Sequence, residues 1–116
     1  AVASVLHSFY TGVENILSVI AKNFDNNIPS GHNWHSKLLK QISERTKNRE
    51  AVLSEDNMNT LLGYLGFRHF YRHSYSFYLD WYLLNKLIIP IENVWDSLKD
   101  DFNHFISVLK NQEKND

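Results

Sequence analysis

Residues 2–24 read VASVLHSFYTGVENILSVIAKNF, and this stretch decides the fold class of the chain. Its apolar positions alternate steps of four and three residues, which places them along one face of an α-helix. They are Val2, Leu6, Phe9, Val13, Ile16, Ile20 and Phe24. The end of the chain repeats the pattern at Ile91, Val94, Trp95, Leu98, Phe102, Phe105 and Leu109. Because no segment alternates as a strand does, the sequence predicts an all-α protein.

Turn-forming residues mark the helix boundaries. The run DNNIPSG at 25–31 ends the first helix, and a second helix is expected from about Asn33 to just before Thr46. Ser54 is a favourable N-cap for a third helix that ends between residues 72 and 77. The pattern therefore predicts an up-and-down bundle of four to five helices.

The third predicted helix has two further features. Its expected buried line is Met58, Leu61, Leu62 and Leu65. The same helix contains two glycines, Gly63 and Gly66. Glycine inside a helix costs about 1 kcal/mol of stability relative to alanine. We therefore expect the backbone of a neighbouring element to approach closely at this point.

After the third helix, Asp80 is expected to cap a short fourth helix at 81–87, and Pro90 suits the first turn of the last one. We expect a single domain over residues 1–116, with a polar tail at 111–116. The chain opens without methionine inside an apolar helix, which is compatible with a truncated N-terminus.

Composition narrows the class of protein. The 116 residues carry a formal net charge of −1, which argues against a general nucleic-acid coat protein. They include no cysteine, so disulfides and thiolate ligands are excluded. No apolar run has membrane-spanning length and no signal peptide opens the chain, so we expect a cytoplasmic protein without membrane contact. A local cluster of cations near the second helix could contact RNA or could simply be a hydrated helix face. Its members are Lys37, Lys40, Arg45, Lys47 and Arg49, against one anion, Glu44.

The run RHFYRHSY at 68–75 carries the candidate chemistry. Arginine is a permanent cation that binds phosphate, and histidine exchanges a proton near neutral pH. Arg68 is therefore expected to bind a scissile phosphate, and His73 to act as general base or general acid. Together they could break a phosphodiester without a metal. Flanking aromatic side chains could stack unpaired bases; these are Tyr71, Tyr75, Phe77 and Tyr78.

Helix geometry separates these two residues. Positions five apart are rotated by about 140° on a straight helix, so Arg68 and His73 would not share a face. Either the helix loosens near His73, or two copies of the run face each other across a dimer. His69 and His73, four residues apart, could alternatively hold a metal, but no carboxylate accompanies them, so we expect no metal.

Other polar residues have a plainer interpretation from sequence. The isolated histidines are expected at the surface or in satisfied packing; they are His7, His32, His35 and His104. The buried line of the third helix turns ionic after Leu65, which suggests a solvated cleft where helices meet. Trp34 and His35 could lie near this cleft, but spacing alone does not show it. Glu14 stands among apolar neighbours and is expected on the helix surface.

The run also resembles a known signature. Arg68-x4-His73-x-Tyr75 is similar to the pattern of the HEPN superfamily, specifically of HepT-like ribonuclease toxins. Further segments are similar in the same order: LHSFYTGVE at 6–14, PSG at 29–31, WH at 34–35, FRHFYRHSY at 67–75 and LDW at 79–81. The resemblance covers about residues 6–109.

The resemblance implies a helical bundle that dimerises so that two signatures line one groove. It implies a metal-independent endoribonuclease toxin without cofactor, acting on tRNA or mRNA. A cognate nucleotidyltransferase antitoxin would neutralise it by attaching AMP to the signature tyrosine. Carried over, Arg68 and His73 are catalytic and Tyr75 is the modification site. Three variable positions receive RNA-contact roles, namely His69, Tyr71 and Arg72. The alternative is a non-catalytic HepT-like binding or regulatory subunit of a nucleotidyltransferase.

Overall fold

The computed structural model of the protein describes the backbone of residues 2–73 and 81–115, with side chains at 2–69 and 81–114. Five α-helices account for most of it: α1 (Val2–Ile20), α2 (Trp34–Ser43), α3 (Glu55–His73), α4 (Trp81–Ile88) and α5 (Ile91–Asn115). In the described part of the chain, extended pairing is confined to an isolated bridge between Thr46 and Arg49. The expected all-α bundle is confirmed.

The heptad-like stripe predicted α1 correctly but not the centre of its buried face. The most buried positions are Ala3, Leu6, Tyr10, Val13 and Leu17, with Ala21 just beyond the helix. Ile16, which the stripe placed inside, is 36% exposed. A turn of π-helix, Ala21–Asp25, follows α1, and Asn26 ends it with a positive φ of 51°. Two adjacent apolar stripes run along α1, and the neighbouring helices cover one more fully than the other.

The start of α3 follows the prediction. The Ser54 hydroxyl accepts a hydrogen bond from the backbone N–H of Asn57 at 3.2 Å, as expected of an N-cap. Asn57 and Ser54 also bind Asp101 of α5, whose Oδ2 accepts from the Asn57 amide at 2.7 Å and from the Ser54 backbone N–H at 2.9 Å. This polar cluster holds α5 against the first turn of α3.

The buried line of α3 differs from the prediction. Leu61 is fully buried, but Leu62 is 39% exposed, and Tyr64 and Phe67 line the core instead. The reason is that Tyr64 can bury its ring while its hydroxyl donates to the Leu87 carbonyl oxygen at the end of α4.

The expected close approach at the α3 glycines was wrong. A Cβ built at Gly63 or Gly66 would meet nothing within 4 Å. Both positions face open space. The helix tolerates them because tertiary packing on its opposite side outweighs the local propensity cost.

The C-terminal helices follow the expected boundaries closely. α4 begins at Trp81; its expected cap, Asp80, lies outside the described residues. Pro90 immediately precedes α5, and its carbonyl oxygen accepts from the Val94 N–H at 2.9 Å. The polar segment expected as a tail continues α5 as helix to Asn115.

The helices share one apolar core. α2 packs against both α1 and α3, α4 packs against α1, and α5 packs against α3. None of the helices in the described ranges is both long and apolar enough to cross a membrane. The packing of α1, α2 and α3 around one another brings together one polar residue from each, namely Glu14, His35 and Arg68.

Candidate functional site

Arg68 projects from α3 toward α1 and α2 and is half-buried. Its Nη1 lies 3.4 Å from Nε2 of His35, at the start of α2. Its Nε is buried without a hydrogen-bond partner among the described residues. None of the ion pairs among the described residues includes Arg68. A guanidinium in this position keeps donors for a further acceptor.

Arg49 shows the opposite arrangement. It is 3% exposed, and its Nε and Nη2 donate to the two carboxylate oxygens of Asp25, both at 2.7 Å. The remaining donors reach the backbone carbonyl oxygens of Glu44, Glu50 and Gln41. Arg49 therefore holds the loops after α1 and α2 together, and the inference that it belongs to a surface cluster of cations was wrong.

A buried carboxylate lies beside Arg68. Glu14 is 7% exposed, and its Oε2 is 2.6 Å from Nδ1 of His35. The expectation of a surface position for Glu14 was wrong, because it occupies the buried side of α1 between Tyr10 and Leu17. The sequence held a signal for this burial, because Glu14 is four residues after Tyr10 and three before Leu17, and both of these are buried.

His35 connects the two charged groups. Its ring nitrogens face Glu14 on one side and Arg68 on the other. The Trp34 ring lies with its centroid 3.7 Å from the His35 ring, which limits imidazole rotation. The sequence suggested that Trp34 and His35 could lie near a cleft; His35 does line a groove between α2 and α3, and Trp34 stacks on His35. What sequence spacing could not show is that residues 14, 35 and 68 come together.

Tyr10 completes the buried surroundings. Burial first, and then the negative charge of Glu14, raise the pKa of the Tyr10 hydroxyl well above its usual value. The phenol therefore stays neutral under all physiological conditions. It therefore supplies no negative charge beside Arg68.

A groove opens beside this cluster, between the start of α2 and the middle of α3. It measures about 300 Å³ and is lined by His32, Asn33, His35, Ser36, Leu62, Leu65, Gly66 and His69. That volume is at the lower end of the range for ligand pockets in proteins. No three potential ligands of His, Asp or Glu type converge on a metal position in the described parts of the chain.

The other sequence-predicted residues are only partly placed. His69 lines the groove, whereas residues 71–73 belong to the last turn of α3 without described side chains. His73 is the last described residue of this helix, so positions 68 and 73 are about 140° apart around its axis. One of the two alternatives was that the helix loosens near His73; α3 stays helical up to His73, and the next residues lie outside the described part of the chain. Tyr75 lies outside the described residues.

Together these residues define a helical-bundle protein with a half-buried cationic site beside a carboxylate–imidazole pair. A family model described as HepT-like protein matches residues 1–109. The chain therefore belongs to the HepT-like family of the HEPN superfamily, as its signature run had indicated. No curated protein and no solved structure matches it.

Proposed function

We propose that this protein is a metal-independent endoribonuclease toxin acting on tRNA or mRNA. The observation that supports this most is the half-buried guanidinium of Arg68. Its Nε has no hydrogen-bond partner among the described residues, and its Nη1 contacts His35, which lines the groove. Leaving a buried donor unsatisfied costs about 1–3 kcal/mol, so such a group suits an anion that arrives from outside. A phosphodiester is an anion with oxygens placed for a guanidinium.

The proposed reaction divides two tasks. Arg68 binds the scissile phosphate and stabilises the charge that grows on its oxygens. His73 exchanges a proton with the ribose 2′-hydroxyl or the departing 5′-oxygen. His69, Tyr71 and Arg72 contact the RNA on either side.

The whole of residues 1–116 forms one domain, the protein acts in the cytoplasm without metal or cofactor, and it works as a homodimer. A cognate nucleotidyltransferase antitoxin silences it by transferring AMP from ATP to the hydroxyl of Tyr75.

The test of catalysis compares two histidine variants. His73→Ala should abolish RNA cleavage and growth arrest while leaving helix content and dimerisation unchanged. His104→Ala, an exposed histidine on α5, serves as the matched control and should cleave as the parent does. Both are assayed on total RNA with a metal chelator present. Equal cleavage by His73→Ala and the parent would reject the assigned role. A complete lack of cleavage by the parent would instead favour the non-catalytic binding subunit.

The test of regulation uses the signature tyrosine. Incubation with ATP and a cognate nucleotidyltransferase should add one AMP to the parent chain. Tyr75→Phe should remain unmodified and should stay toxic in the presence of that enzyme. Peptide mass spectrometry locates the added group, and finding it on another residue would show that Tyr75 is not the acceptor.

A further inference from the structure

The cleavage proposed above needs two proton transfers, and we assign one of them to His73. The 2′-hydroxyl must lose a proton as it attacks, and the 5′-oxygen must gain one as it leaves. The described residues place one imidazole in contact with Arg68, and it belongs to His35.

The hydrogen bonds of His35 determine where its own proton lies. A guanidinium only donates, so the 3.4 Å contact with Arg68 Nη1 requires a lone pair on His35 Nε2. The proton of the neutral ring is therefore on Nδ1, where it donates to Glu14 at 2.6 Å. The imidazole is thus held with its basic nitrogen directed at the phosphate-binding residue.

We propose that His35 is a second catalytic residue of this site, acting as the general base on the ribose 2′-hydroxyl, with Glu14 as its positioning residue. This inference rests on the proposed ribonuclease function. It assigns the opposite role, general acid, to His73.

His35 Nε2 takes the proton of the 2′-hydroxyl, whose oxygen forms a bond to phosphorus. The bond between phosphorus and the 5′-oxygen breaks, and that oxygen receives a proton from His73. The products are a 2′,3′-cyclic phosphate and a free 5′-hydroxyl, so no water, metal or oxidant is consumed.

Two features of the structure suit His35 to this role. The imidazole is partly accessible, with 20% of its side chain exposed, and it lines the groove beside α3. Glu14, only 8% exposed at its side chain, is shielded from water and can stabilise the imidazolium that forms when the base takes its proton. The same pairing of a buried carboxylate with a histidine base fixes the tautomer and orientation in hydrolases.

The test separates base from acid by changing the leaving group. A synthetic oligoribonucleotide with sulfur in place of the 5′-oxygen has a leaving group that needs no protonation. His35→Gln should cleave both the oxygen and the sulfur substrate about 10²–10⁴-fold more slowly than the parent. His73→Ala should be slow on the oxygen substrate only, and His104→Gln should match the parent on both.

The outcomes are distinct. Rescue of His35→Gln by the sulfur substrate, or rates within threefold of the parent, would overturn the base assignment while leaving the ribonuclease proposal intact. Failure of the parent itself to cleave the oxygen substrate would overturn both. Thermal melting of each variant shows whether a slow rate reflects unfolding.

A pH profile covers the case in which His35→Gln does not fold. The charged and titratable groups around His35 are Glu14 of α1, Arg68 and His69 of α3, and His32 before α2. Glu14→Gln leaves a neutral amide beside the ring, which no longer stabilises the protonated imidazole. The ascending limb of the rate on the sulfur substrate should then move to lower pH. An unmoved limb would contradict the proposal, because a purely structural Glu14 would lower the rate without shifting it.

Discussion

Two arginines illustrate how burial divides structural from functional roles at the scale of single residues. The donors of Arg49 are taken up by Asp25 and backbone carbonyl oxygens, whereas Arg68 keeps a buried Nε without a partner in the described structure. Both side chains are permanent cations, so charge alone could not tell them apart. The difference arises because Asp25, twenty-four residues earlier in the chain, is brought against Arg49 by the fold.

Removing one member of the Arg49–Asp25 pair should be costly. Arg49→Ala leaves the Asp25 carboxylate buried without its cation, which costs about 3–5 kcal/mol of unfolding free energy. Arg45→Ala is the matched control, since Arg45 pairs with Glu50 at 3.1 Å on the surface and should change stability by about 0–1 kcal/mol. Urea unfolding measures both, and equal stability of the two variants would contradict the structural role of Arg49.

The same pair predicts a dependence on acid. Burial alone would raise the pKa of the Asp25 carboxyl, but hydrogen bonds from Arg49 and Gln41, together with the charge of Arg49, lower it below its usual value. Because the folded pKa lies below the unfolded one, the contribution of the pair is complete above about pH 4 and is lost as the pH falls through the folded pKa. The parent should lose more stability than Asp25→Asn between pH 5 and pH 2 in urea titrations; parallel losses would contradict this.

At the scale of helices, the periodicity of apolar residues predicted that the helices exist and where they begin and end. It predicted less well which face of each helix is buried. α1 carries apolar residues on two adjacent stripes, so the sequence could not decide between them. In α3 the sequence favoured aliphatic positions, but Tyr64 is buried, with its hydroxyl donating to the carbonyl oxygen of Leu87. Each error comes from a partner helix that is distant in sequence.

Two glycines give a stability test at this scale. Gly63 is in the middle of α3 facing open space, so Gly63→Ala should raise the unfolding free energy by about 0.5–1 kcal/mol. Gly31 has a φ of 95°, which alanine rarely adopts, so Gly31→Ala should lower it by about 1–2 kcal/mol. Thermal melts of both variants are the measurement. A loss of stability in Gly63→Ala would show that a neighbour does approach α3 there.

For the whole molecule, the sequence predicted the helical bundle, which is confirmed, and it singled out Arg68 as a candidate. It did not predict that Glu14 and His35 lie beside Arg68. Glu14 and His35 belong to helices separated by a turn-rich segment, and no local pattern connects them. The positions of Arg68 and His73, about 140° apart on one helix, favour the second of the two expected solutions, in which two chains share a site.

A mixing experiment tests that shared site. Arg68→Ala and His73→Ala chains should each be inactive alone, but mixed dimers should recover activity, because one of the two sites then contains both intact residues. His35→Gln mixed with Arg68→Ala should recover nothing, since these side chains meet within one chain. Activity of refolded mixtures is the readout. Lack of recovery in the first mixture would place Arg68 and His73 in the same chain.

The most direct test of the account is the chemistry of the cut ends. An oligoribonucleotide spanning a cleavage site is incubated with the protein and a chelator, beside a copy lacking the 2′-hydroxyl at the cleaved nucleotide. Cleavage by the Arg68 site should leave a 2′,3′-cyclic phosphate and a 5′-hydroxyl on the first substrate, and the second should stay intact. Ends carrying a 3′-hydroxyl and a 5′-phosphate, or cleavage of the copy without the 2′-hydroxyl, would contradict it.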